Sequence, residues 1–403
     1  MNGITNGAHY AAIASAIRSK AGTTSTYKPS EMASAIAAIE TGMDPVYAIA
    51  TVKPTGSIGG SASFVKPYAA CGSNEVTSIN LPSCTTVGDA AFQSCSSLAS
   101  VSLPKCTSVG NHAFQNCTSI TTVSLPLCTS VGNSAFQSCF ALSSVSLPKC
   151  TTVGDYAFYS CSRLTTVNLP SCTTVGREAF ICCSSITTVS LPVCTSVSTY
   201  AFRSCSSLTT VSLPNLATAG YGAFYGCKTL KSISLPVCTT VSEYVFYSCY
   251  SLATVSLPVC TTVGSYAFAY CSSLASISLP ACTTVYSFAF KWCYSLATVS
   301  LPLCTTADWD AFAYCSSLAS IRLPKCTLIG SSAFRSCYRL VSLYLNSVSR
   351  VTTLSASAFA STPIGGYSAS AGRFGSVYVP ASLLNSFKTA TNWASISTRI
   401  VAG

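Results

Sequence analysis

A period of 22 residues governs this chain. Leu-Pro pairs begin at residues 81, 103, 125, 147, 169, 191, 213, 235, 257, 279, 301 and 323, and every interval is the same. Twelve copies cover residues 81–344, and Leu345 begins a degenerate thirteenth. Numbered from the Leu, the unit reads LPxCTTVGxxAFxxCSSLxxVS. A unit this short cannot bury its own apolar face, so neighbouring copies must bury it by stacking. The repeat therefore overrides what 403 residues would otherwise imply, namely two or three globular domains.

Within the unit, Val101 and Leu103 alternate with Ser100, Ser102 and Pro104, which predicts a short strand with one face inward. Pro104 belongs at the strand end, where its missing N–H is not needed. After Gly110, the residues Phe114, Cys117 and Ile120 are three apart, a spacing that predicts one or two helical turns with an inward stripe. The expected fold class is an α/β repeat solenoid: an arc of about twelve coils, each strand, turn, short helix, turn. Rotated, the unit reads LxxVSLPxCxxV, close to the leucine-rich-repeat signature. The VSLP strand, the segment from Val153-Gly154 to Cys161 and the return through Leu164 resemble the BspA type of leucine-rich repeat. The spacing of 22 is one residue shorter than is usual for that family. The resemblance covers about two-thirds of the chain and implies a solenoid that serves as a bacterial surface adhesin.

The chain has 25 cysteines. They fall at repeat position four (Cys84, Cys106 and onward) and position fifteen (Cys95, Cys117 and onward), with Cys71 and Cys182 apart. No short CxxC spacing points to zinc. Disulfides between adjacent coils and two ladders of buried free thiols both remain open. Equivalent side chains one coil apart point the same way, which keeps their Cβ atoms further apart than a disulfide prefers. Leu216 replaces one position-four Cys with an apolar residue, which favours the thiol ladder. That reading suits assembly in a reducing compartment.

Residues 1–42 differ in kind. HYAAIASAIRSKAG and YKPSEMASAIAAIETG predict two short amphipathic helices, with Ile13, Ile17, Met32, Ile36 and Ile39 inward. This pair is similar to an N-terminal module of tail-associated proteins of bacteriophages that infect gut bacteria, which implies docking to a tail or fibre protein or to its own copies. Residues 43–80 read as a small β element and N-terminal cap, 81–344 as the solenoid, and 345–403 as the degenerate repeat and a strand–helix–strand C-terminal cap.

Core positions repeat because identical coils must fit each other. Positions nine, ten, thirteen, fourteen and sixteen escape that constraint and point outward. They hold Tyr156, Tyr159, Tyr200, Tyr225, Tyr244, Tyr247, Tyr250, Tyr266, Tyr270, Trp292, Tyr294, Trp309, Tyr314 and Tyr338. Large rigid rings among Ser, Gly and Asn are the composition of a recognition surface. Rings on successive coils can also stack and merely stiffen the solenoid. The aromatics thicken toward repeats seven to eleven, which uniform stacking does not require, so these residues are the candidate binding set. The Ser/Thr strand face is the second surface, suited to a repetitive polymer.

Composition argues against chemistry. Only 8% of residues are charged, and ten acidic residues and two histidines serve the whole chain. Asp308 and Asp310, two apart beside Trp309, read as a solvated patch rather than an acid/base pair. His112 has no neighbouring ligand type. No metal, cofactor or catalytic residue is expected. Net charge is +11, yet the basic residues are scattered, which disfavours a nucleic-acid partner. The densest group, Arg322, Lys325, Arg335, Arg339 and Arg350, faces an anionic partner if any. No secretory signal is visible, and no stretch is apolar enough to insert in a membrane. The expected partner is a bacterial surface protein or glycan receptor. The expected setting is a virion, on a phage tail or fibre; alternatives are a bacterial-surface adhesin or a filament subunit that polymerises through its caps.

Overall fold

The computed structural model describes residues 56–366, 372 and 374–403. The helical pair expected over residues 1–42 lies outside them. The described residues form a parallel β-solenoid of about fifteen coils of roughly 22 residues. The described residues divide into two compact units, one ending at Leu169 and the other beginning at Pro170.

Each coil carries two strands. The first holds the VSL segment, as in Thr122–Ser124 and Ser144–Ser146, which pair in parallel with Val123 opposite Val145. The second, two residues long, follows the first cysteine, as in Ser130–Val131 and Thr152–Val153. Its inward Val is buried throughout the first unit, from Val65 to Val153. The second unit repeats both strands from Thr174–Val175 and Thr188–Ser190 to Ser342–Tyr344 and Thr353–Leu354. It then adds Ser376–Val379, the helix Leu384–Thr389 and the strand Ile400–Ala402. Both kinds of strand pair in register at the sequence period, so a shift by one residue would turn every Val to solvent.

The short helix expected after each glycine does not form. Positions nine to fourteen run instead as successive turns, with left-handed backbone at positions ten and fourteen. Tyr244 and Ser248 both have φ +58°, and His112 and Asn116 have φ +55° and +59°. Alternate N–H groups leave the segment: Tyr244 donates to Ser265 O, Phe246 to Ala267 O and Ser248 to Ala269 O of the next coil, at 3.0, 2.8 and 2.9 Å. The N–H groups between them close tight turns, Tyr247 to Tyr244 O and Cys249 to Phe246 O, both at 3.1 Å. A segment this short makes few helical bonds for the cost of nucleating a helix. Bonds to the neighbouring coil satisfy the same donors without that cost, and they win.

The core is built of rows. Phe92, Phe114, Phe136 and Phe158 stack in the first unit at centroid distances of 5.2–5.4 Å. In the second unit a row runs from Phe180 to Phe359 at 5.2–5.8 Å. The described cysteines are thiols rather than disulfides, and all but Cys71 and Cys182 are buried. Each row has its own hydrogen-bond acceptor. Position-four thiols donate within their coil, as Cys128 does to Ser130 O at 3.2 Å. Position-fifteen thiols such as Cys117 and Cys139 donate to the Phe carbonyl of the preceding coil, at 3.0 and 3.2 Å, and Cys95 donates to Ala70 O, which stands in that place. At the far end Trp393, fully buried, covers Phe359 at 6.1 Å and donates its indole N–H to Thr352 O at 2.6 Å.

Candidate binding surface

The turns at positions nine to fourteen differ between the two units. In the first unit amide ladders line them. The Oδ1 atoms of Asp89 and Asn111 accept the N–H of Asn111 and Asn133 at 2.7 and 2.8 Å. Gln93, Gln115 and Gln137 link side chain to side chain at 2.6 and 2.9 Å. His112 is exposed, with Nδ1 3.1 Å from Gln115 Oε1. Tyr156 and Tyr159 follow, their rings 6.2 Å apart and half-buried.

In the second unit rings take over. One column passes from Tyr200 through Tyr221 to Tyr244, Tyr266 and Phe288 and ends at Trp309. Tyr244 stacks on Tyr266 at 4.7 Å, and Tyr266 on Phe288 at 4.4 Å. A second column holds Tyr225, Tyr247, Tyr270, Trp292 and Tyr314, with Tyr270 stacked on Trp292 at 4.2 Å. The columns touch where Tyr244 meets Tyr247, at 5.5 Å. Most of these rings are half-buried against each other; Trp309 remains 51% exposed. Packing among the rings removes water from the Tyr221 and Tyr247 phenols and pushes both up to about 12.

Arg203 and Lys291 are set into this face, and Arg335 lies 5.9 Å from the Tyr314 centroid at its end. The Arg203 guanidinium lies 4.8 and 4.9 Å from the Tyr200 and Tyr225 centroids. Lys291 Nζ sits 4.3 Å from Trp292 and 4.7 Å from Phe288, and pairs with Asp310 at 2.6 Å. Asp310 is therefore buried and not the solvated patch expected from sequence, and its Oδ1 has no hydrogen-bond partner. Asp308 accepts a bond from Ser287 at 2.8 Å. Among the described residues no His, Cys, Asp and Glu cluster could hold a metal ion.

Of the residues picked from sequence, Tyr200, Tyr225, Tyr244, Tyr247, Tyr266, Tyr270, Trp292, Trp309 and Tyr314 come together in this one face. Tyr250, Tyr294 and Tyr338 occupy position sixteen on alternate coils, each more than 40% exposed, and form a separate row. Phe288 and Lys291 are central to the face and were not singled out. Both stand at outward positions, ten and thirteen, but neither is a Tyr or Trp.

The profile described as the BspA type leucine rich repeat region matches residues 63–186, 129–253 and 239–364. A leucine-rich repeat protein from Bacteroides ovatus is 26% identical, with a TM-score of 0.44, over 72% of this chain and 82% of that one. A leucine rich cell surface protein from Faecalibacterium prausnitzii is 25% identical, with a TM-score of 0.43, over 74% and 87%. A leucine-rich repeat protein from Eubacterium ventriosum is 21% identical, with a TM-score of 0.41, over 71% and 91%. No curated protein matches.

Proposed function

Because this chain belongs to the BspA-type leucine-rich repeat family, we propose that it is a non-catalytic adhesin of the bacterial surface whose aromatic face engages a receptor protein on another cell. The observation that carries this reading is the use of rings where the fold does not need them. Amide ladders, serines and Gly222 and Gly226 fill the same positions in other coils, and the turn is unchanged. Bulky residues with left-handed backbone cost about 1–2 kcal/mol each. The rings recover part of that by stacking, at about 0.5–1.5 kcal/mol per pair. What they add is a rigid apolar platform with two embedded cations, the composition of a protein-binding centre.

A phage-borne version of the same role depends on residues 1–42, which lie outside the described residues and outside the family match. The bacterial-surface reading therefore stands first.

The test is adherence of purified protein to bacterial cells, with Tyr244, Tyr247 and Tyr270 all changed to Ser. Serine already occupies positions ten and fourteen in other coils, and the small Ala269 and Ala313 stand at position thirteen, so the melting temperature should stay within a few degrees of wild type. Cell binding should fall at least tenfold. Undiminished binding by the folded variant refutes the assignment of this face.

A further inference from the structure

The outward residue that closes each first strand, at repeat position twenty-two, is Ser in the second unit from Ser190 to Ser300. It then becomes Arg322 and Tyr344, and the register continues to Tyr378. The Arg322 guanidinium lies 4.0 Å from the Tyr344 centroid. Tyr344 stacks on Tyr378 at 4.7 Å and 11°. Tyr344, itself backed by Tyr378, holds an exposed guanidinium over its ring, and among the described residues no carboxylate pairs with it. On the side away from the rings lies a shallow cleft of about 430 Å³ lined by Thr298, Ser300, Pro302, Ser320, Arg322 and Pro324. Asp310 is the last acidic residue of the chain; the 93 residues after it hold eight Lys and Arg and no Asp or Glu.

We propose that this cleft binds a carboxylate-bearing sugar of an acidic polysaccharide. The pre-oriented guanidinium offers two parallel N–H donors to one carboxylate, which a lysine could not. Hydroxyls of Thr298, Ser300 and Ser320 stand on adjacent coils about 4.8 Å apart and can exchange hydrogen bonds with ring hydroxyls along the polymer. A peptide would have less to hold. Thr298–Ser300 and Ser320–Arg322 each pair with strands on both sides, so no sheet edge is open to an added strand. This surface is separate from the aromatic face and does not depend on it.

Titration calorimetry with tri-galacturonate, with maltotriose and hexaglutamate as controls, tests the proposal. Wild-type protein should bind tri-galacturonate, more weakly as salt rises, and should bind neither control comparably. Arg322→Gln should weaken binding at least tenfold and Arg322→Lys several-fold. Ser300→Asp should abolish it by placing a rival carboxylate beside Arg322. These residues are outward-facing, so melting temperatures should hold. The triple Tyr→Ser variant of the aromatic face should bind the sugar as wild type does. No binding by wild type at millimolar sugar, unchanged binding by Arg322→Gln, or equal binding of hexaglutamate would each overturn the proposal.

Discussion

The thiols show how one residue type satisfies two demands. A position-fifteen side chain must be small and apolar enough for a fully buried row, yet it faces the Phe carbonyl of the preceding coil. Cys meets both, with an S–H that donates at about 3.0–3.2 Å along the row. Burial pushes Cys95, Cys128 and Cys161 up to about 12 and Cys106 and Cys150 to about 11. In the unfolded chain a thiol ionises near pH ~8.5. Above that pH the unfolded state holds fewer protons than the native one, so stability falls as pH rises. Each such thiol withdraws about 1.4 kcal/mol per pH unit until its folded pKa is reached. With two rows of them, circular dichroism in reductant should show sharp unfolding between about pH 9 and 11 and full stability from pH 6 to 8. A native spectrum at pH 11.5 would disprove this account of the rows.

At the scale of the element, the turn sets the cost of the coil. Gly226 has φ +70°, and a Cβ there would meet only Ser204, with Oγ nearest at an ordinary 3.7 Å. Gly226→Ala therefore isolates the backbone term and should lower stability by about 1 kcal/mol, read as a drop in the urea midpoint. No change would mean that the left-handed turn carries no strain. Gly222→Ala is a different case, because its Cβ would collide with the Tyr200 ring. The strand half of each coil was legible in the sequence: period-two alternation at Val101 and Leu103 gave the inward residues, and a fixed period gave their register. The turn half was not. Phe114, Cys117 and Ile120 have helical spacing, yet they follow a backbone whose N–H groups alternate between the next coil and tight turns of their own, so no helix forms. The candidate site was legible as a set of outward positions, but Phe288, Lys291 and the burial of Asp310 depend on contacts between coils.

At the scale of the molecule, each coil protects the next, and the last needs a substitute. In the second unit Trp393, Phe387 and the strand Ser376–Val379 supply it, covering Phe359 and pairing with Ser342–Tyr344. A chain ended at residue 366 would expose that row end and an unpaired strand edge. It should melt several degrees lower and aggregate on warming, as light scattering would record. An unchanged, monodisperse melt would show that the segment is not a cap. The period alone determined that coils stack in parallel register with Phe and Cys inward, because identical units can bury their faces only against each other. Which backbone the turns adopt, which rings touch, and how Arg322 meets Tyr344 and Tyr378 were decided by the tertiary structure. Those choices rest on hydrogen bonds and contacts between neighbouring coils, which no local pattern encodes.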